Sequence, residues 1–187
     1  FDGNGATTGS MANQTIASGS TVALAINGYS RVGYTFGGWA ATAGGIAEYA
    51  DGGNYTMGAS SVTLYAKWIP ITYTIAYSGN GATSGTTVSS THTYDTAKAL
   101  NNNGFSRLGY SFLGWSASAG STTPTYLNQQ SVMNLTSTAG ATITLYAVWS
   151  ANTYNIVFNP NGGTGSMANQ GIMYLQSAAL TLNAYTL

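Results

Sequence analysis

The sequence predicts a mainly β protein built from tandem small modules of about four to five strands each. Three observations predict it. The chain repeats itself: "RVGYTFGGW" at 31–39 returns as "RLGYSFLGW" at 107–115, and "GNGAT" at 3–7 returns at 79–83. Apolar residues recur with a period of two rather than 3.6. Asn-Gly and Asp-Gly pairs punctuate the runs at 4–5, 27–28, 51–52, 80–81, 103–104 and 161–162. Such pairs suit tight turns that need positive φ.

Repetition fixes the architecture before any single element is placed. Both signatures recur 76 positions on (31 to 107, 3 to 79). "LYAKW" at 64–68 recurs as "LYAVW" at 145–149, 81 positions on, so the second copy carries about five extra residues within 118–142. "GSMANQ" at 9–14 recurs at 165–170 and announces a third copy, in which "NAY" (183–185) stands where "NGY" (27–29) and "NGF" (103–105) stand. The expected organisation is a first module at 1–70 lacking most of its leading strand, a complete second module at 71–150, and half of a third at 151–187. On this reading the chain is a window on a longer array, or a subunit whose ends complete one another between identical chains.

Taken in chain order, Val22, Leu24 and Ile26 alternate with small residues and predict a strand, matched later by Ala178, Leu180 and Leu182. In 62–68, Val62, Leu64, Ala66 and Trp68 share one face while Tyr65 and Lys67 take the other; Ile143, Leu145, Ala147 and Trp149 repeat this, with Tyr146 opposite. Residues 72–77 carry Tyr73, Ile75 and Tyr77 on one face, and 153–158 carry Tyr154, Ile156 and Phe158. A short helical turn is expected at 96–100. β-Branched and aromatic residues dominate the strand runs, as a half-buried pleated surface favours.

Modules of this length sit near the lower limit for a self-sufficient core. The rings of Tyr34, Phe36, Trp39 and Trp68, with Tyr110, Phe112, Trp115 and Trp149, are therefore expected inside. The alternative is an aromatic platform for stacking sugars. Gly33, Gly38, Gly109 and Gly114 then allow turns or close backbone approach beside the rings. Arg31 and Arg107 are expected to stack on a local ring or cap carbonyls at a strand end. Their alternative role is a receptor-contacting pair repeated along an array.

Composition removes several classes of function. Charged residues make up 4% of the chain, four basic and four acidic, against about a quarter in ordinary domains. That leaves no electrostatic footprint for nucleic acid or an anionic membrane. No apolar run reaches the eighteen or so residues of a membrane span. There is no Cys, hence no disulfide and no thiol nucleophile. The titratable set is Asp2, Glu48, Asp51, Asp95 and His92. His92 and Asp95 lie three apart, but no nucleophile elbow or second carboxylate accompanies them, and His92 reads as a solvated strand residue. "DGNG" at 2–5 and "DGGN" at 51–54 lack the ligand run of a calcium loop. No enzyme activity, cofactor or metal is expected.

The residues then become recognisable. "GYTFGGW" and "GYSFLGW", each with Arg two places earlier, followed by "TLYAKW" and "TLYAVW" and opened by "GNGAT", resemble the Listeria–Bacteroides repeat, the B-repeat module of internalin-like surface proteins. The resemblance covers essentially the whole chain. It implies a β-grasp-like (ubiquitin-related) module, arrayed in tandem on secreted or surface-anchored bacterial proteins. Family members carry more Lys and Glu, so their surface electrostatics do not transfer. The implied role is extracellular or cell-surface: a stalk, spacer or filament-forming module whose partners are neighbouring repeats or identical chains. The alternative is an adhesive module that binds a host protein or glycan through its loops, with the insertion in 118–142 as first candidate.

Overall fold

A computed structural model describes residues 1–187. The chain consists of strands, turns and loops, with no helix. The first copy contributes β1 (Thr8–Gly9), β2 (Thr21–Ala23), β3 (Tyr29–Ser30), β4 (Tyr34–Ala40), β5 (Asn54–Thr56) and β6 (Tyr65–Pro70). The second contributes β7 (Thr72–Ser78), β8 (Ser84–Gly85), β9 (Ser90–Thr93), β10 (Lys98–Ala99), β11 (Phe105–Ser106), β12 (Tyr110–Ser116), β13 (Ser131–Val132) and β14 (Thr142–Ala151). The third adds β15 (Thr153–Ile156) and β16 (Gln170–Met173).

These strands are more numerous and shorter than four to five per module. Left-handed residues break the runs: Asn4, Asn80 and Asn161 sit at φ 46, 46 and 48 in the three "NG" openings. Asp95 (φ 56) likewise turns the chain where a helical stretch was expected at 96–100, and the following residues pair as β10 instead. In the third copy 178–182 forms no strand, with Leu180 60% and Leu182 88% exposed. β2 stops at Ala23, so Ile26 is 70% exposed rather than sharing the buried face of Leu24.

One pairing scheme serves both copies. β1 pairs with β3 and β8 with β11; β2 pairs with β5 and β10 with β13; β4 pairs with β6 and β12 with β14, all antiparallel. The leading hairpins also match, β7 with β9 and β15 with β16. The long ladders slip by one residue between Phe36 and Gly38, and between Phe112 and Gly114. Such a bulge re-aims the next side chain, and the next side chain is Trp39 or Trp115. A Cβ on Gly38 would lie 2.6 Å from the Tyr49 carbonyl oxygen, and one on Gly114 2.4 Å from that of Tyr126. Only glycine fits there. The five extra residues divide: one falls between Trp115 and Tyr126, an interval of 11 against 10 for Trp39–Tyr49, and four fall between Val132 and Leu145.

Two compact units are present. The first comprises Phe1–Ile75, Ser90–Ala99 and Ser131–Ile143. Its core gathers Leu24, Trp39, Leu64, Ala66 and Trp68, with Phe1, Tyr29 and Phe36 packed around them. The second comprises Ala76–Ser89, Leu100–Gln130 and Thr144–Leu187, with Leu100, Trp115, Leu145, Ala147 and Val148 buried.

His92 corrects its sequence reading. It is fully buried in the first unit, not solvated. The alternation of β9 turns it inward, where its ring stacks on Tyr73 at 5.6 Å and Nε2 lies 3.0 Å from the Ser90 hydroxyl. Nδ1 has no partner. Burial, then the Lys98 charge, lowers its pKa below the usual 6.5. A base with a depressed folded pKa binds more protons when unfolded, so its stabilising contribution is whole above pH 6.5 and is lost as pH falls below it. Isoleucine occupies the matching positions, Ile16 and Ile172. His92→Ile is expected to flatten stability between pH 5 and 7 and to add about 1 kcal/mol by removing an unpaired buried nitrogen. Urea midpoints across that range check it, and an unchanged pH slope would discard the assignment.

Candidate functional site

The arginine slot begins at the "GNG" turn. With Asn4 at positive φ, its side-chain amide donates to the carbonyls of Ala43 (2.8 Å) and Ala66 (2.9 Å). Trp68 Nε1 donates to the Gly3 carbonyl at 2.9 Å. Gly5 then presents bare backbone to Arg31, where a Cβ would stand 3.2 Å from Nη1. The other face of the guanidinium covers the Tyr34 ring, 4.0 Å from its centroid. The second copy repeats every part: Asn80 to Ala119 and Ala147, Trp149 to Gly79, and Arg107 between Gly81 and Tyr110 at 3.9 Å. A guanidinium over a ring contributes about 0.5–1 kcal/mol at a partly exposed position.

Beside each arginine lies a joint to the repeat that follows. Ile71 N–H donates to the Gly33 carbonyl (3.0 Å), and Tyr94 N–H donates to the Ile71 carbonyl (2.9 Å). The Tyr94 ring lies flat on Gly33, 2.2 Å from where a Cβ would be, and meets Tyr34 edge-on at 5.9 Å. The next joint has the same parts. Asn152 donates to Gly109 and Tyr174 to Asn152, both at 2.8 Å. The Tyr174 ring covers Gly109 and meets Tyr110 edge-on at 5.8 Å. Gly33 (φ 78) and Gly109 (φ 74) are left-handed as well as crowded.

The first joint has an additional polar clamp. Tyr34 Oη donates to Asp95 Oδ2 at 2.7 Å, while Asn134 Nδ2 donates to Asp95 Oδ1 at 2.7 Å. The Tyr34 bond, the Asn134 bond and the Arg31 charge hold the Asp95 carboxyl below its ordinary range. The same bond to Asp95, with some desolvation, raises the Tyr34 hydroxyl. In the second joint Leu175 stands where Asp95 does, also at positive φ.

The remaining signature residues lie in or against the cores. Trp39, Trp115 and Leu145 are fully buried, and Leu64 is 4% exposed. Tyr65 and Tyr146 are half-buried on the other face of their strands. Phe36 bridges Trp39 and Trp68 at 5.0 and 5.7 Å, as Phe112 bridges Trp115 and Trp149 at 4.9 and 5.5 Å. The acids of the calcium-like stretches cap turns: Asp2 Oδ1 accepts from Asn4 N–H and Asp51 Oδ1 from Asn27 N–H, both at 2.7 Å. No three His, Asp or Glu side chains gather as a metal site would need.

Sequence reasoning missed two sets of residues. Tyr94 and Tyr174 escape because Ser18 takes their place in the first copy. Gln14 and Gln170, the last letters of "GSMANQ", each brace a neighbouring segment. Gln14 donates to the Ala23 carbonyl and accepts from Ala25 N–H; Gln170 does the same with Ala179 and Thr181. Recurrence of the motif was the available signal.

Residues 1–67 and 73–148 each match the family model described as the Listeria-Bacteroides repeat domain. A protein of Evansella cellulosilytica described as "Putative Gly-rich membrane protein" is 31% identical over 154 residues, covering 78% of this chain. The chain spans 17% of that relative's length. No solved structure matches the chain.

Proposed function

The chain belongs to the Listeria-Bacteroides repeat domain family, and on that premise we propose that it is a load-bearing spacer segment of a bacterial surface protein. Its modules are assigned as 1–70, 71–150 and 151–187, each a β-grasp-like unit, and its partners are neighbouring repeats. The observation that carries the reading is the joint formed twice by the same parts, Tyr94 on Gly33 and Tyr174 on Gly109. A chain of modules linked by nearest-neighbour contacts extends by repetition without new chemistry. The family and the membrane-protein description of the relative support a surface location.

Single-molecule pulling of the intact chain, beside a binding screen against glycans and host matrix proteins, tests this. A spacer gives discrete unfolding events whose forces fall in Tyr94→Ser and Tyr174→Ser variants, with no saturable binding. Saturable binding that is abolished by substitutions at Leu127 and Met133, exposed side chains within the 118–142 stretch of the second copy (63% and 51%), would establish an adhesive module instead.

A further inference from the structure

The Asn-Gly pairs that shape the turns also carry chemistry. The glycine nitrogen can attack Cγ of the preceding asparagine, close a five-membered succinimide and expel ammonia; water then opens the ring to aspartate or isoaspartate. Glycine permits the attack because it puts no Cβ in the way. In the two complete copies the fold decides which pair reacts.

Asn4 and Asn80 are held off it. Their side-chain amides donate to carbonyls far along the chain, Ala43 and Ala66 for one and Ala119 and Ala147 for the other. Asn27 and Asn103 instead fold back over the peptide that follows them. Asn27 Oδ1 accepts from Tyr29 N–H at 3.0 Å and its Nδ2 donates to the Tyr29 carbonyl at 2.9 Å. Asn103 does the same with Phe105, at 2.9 and 3.0 Å. An N–H aimed at Oδ1 polarises the amide and stabilises the oxyanion that forms on addition. The electrophile is thus prepared in both copies.

The nucleophile is not. Gly104 N–H donates to the Thr87 hydroxyl at 2.8 Å. Attack requires the Asn-Gly peptide to rotate and its nitrogen to lose that proton, and the hydrogen bond opposes both. Met11 stands in place of Thr87 in the first copy, and the N–H of exposed Gly28 has no acceptor.

We propose that Asn27 is a self-modification site, converting through a succinimide to isoaspartate or aspartate, and that Thr87 protects Asn103 from the same reaction. This is independent of the spacer reading. The Gly28 N–Cγ bond forms as Cγ–Nδ2 breaks, and the nitrogen's proton leaves with the ammonia. One water then adds across a ring C–N bond, so the net change is amide plus water to acid plus ammonia. The new carboxylate stands beside Asp51, whose Oδ1 accepts from the Asn27 N–H at 2.7 Å, and like charges so placed repel. Isoaspartate also lengthens the main chain by one carbon just before Tyr29, whose ring meets Trp39 at 6.4 Å. Conversion therefore loosens the first core and leaves the second intact.

The test is to age the full chain in mildly alkaline buffer and follow each asparagine by peptide mass spectrometry. Trypsin separates the sites, because Arg31 closes one peptide while Lys98 and Arg107 bound the other. Asn27 is expected to convert about three- to tenfold faster than Asn103, the factor that one hydrogen bond supplies. Thr87→Val removes the hydroxyl and keeps the shape, and should speed Asn103 by the same factor; circular dichroism melts establish that this variant is folded. In urea the two sites should convert at similar rates. Equal rates in the folded chain, an unchanged Asn103 rate in folded Thr87→Val, or a gap that persists in urea would each overturn the proposal.

Discussion

Trp39→Ala is expected to destabilise the first unit by about 3–5 kcal/mol, and Trp115→Ala the second by a similar amount. Each indole is fully buried. Trp39 touches Phe1, Tyr29 and Phe36 at centroid distances of 4.8, 6.4 and 5.0 Å, and Trp115 touches Tyr77, Phe105 and Phe112 at 4.8, 6.3 and 4.9 Å. Truncation removes the hub of each cluster, and the glycine bulge before it leaves the backbone little freedom to collapse into the void. Both indole N–H groups lack a partner. Replacement by Phe relieves that cost of roughly 1–3 kcal/mol, so Trp→Phe should be far milder than Trp→Ala. Urea melts with hydrogen exchange at Leu64 and Leu145 as separate reporters decide this. Wild-type midpoints in the alanine variants would contradict the core assignment and reopen the sugar-platform reading.

The second large effect is expected at the joint. Gly33→Ala places a Cβ at φ +78 and 2.2 Å from the Tyr94 ring. Left-handed backbone costs a non-glycine residue about 1–2 kcal/mol, and displacing a packed ring adds about 1–3 kcal/mol. The two parts separate in a double-mutant cycle. Adding Tyr94→Ala should restore the steric part and leave the backbone part, giving a coupling of about 1 kcal/mol or more. Gly109→Ala with Tyr174→Ala should reproduce the pattern. Strictly additive losses in both pairs would mean that the ring and the glycine are independent and that no joint exists there.

Much of this was legible from sequence, and what was not has physical causes. The period-two runs around Tyr73 and Leu145 became strands because aromatic and β-branched residues favour that surface, whereas the run at 62–68 became a strand only from Tyr65, leaving Val62 and Leu64 outside β6. Gly38 and Gly114 read as positions of close backbone approach, and carbonyl oxygens do crowd them. The joint was hidden because its halves are distant in sequence and its tyrosine is absent from the first copy. His92 was misplaced because a polar letter in a strand reads as outward-facing; the register of β9, set by its pairing with β7, decided otherwise. Strand ends at Ala23 and Ile156 fell short of the apolar pattern, since the segments that follow leave it for turn and loop conformations.

The distance between the halves of the joint bears on how the polypeptide emerges from a ribosome. Tyr34 and Asp95 are 61 residues apart. At ordinary elongation speeds of roughly 5–20 residues per second, the Gly33 face waits about 3–12 s for its tyrosine to be synthesised. During that interval a nascent repeat presents a bare ring and bare glycine to any similar tyrosine nearby, the situation in which near-identical repeats misassemble. Asp95 makes the two joints unequal. Its carboxylate accepts the Tyr34 hydroxyl, whereas Leu175, at the same place beside Tyr174, has no acceptor to offer. A Gly33 face closed by the wrong tyrosine would lack that bond, leaving it the weaker pairing when the correct partner arrives.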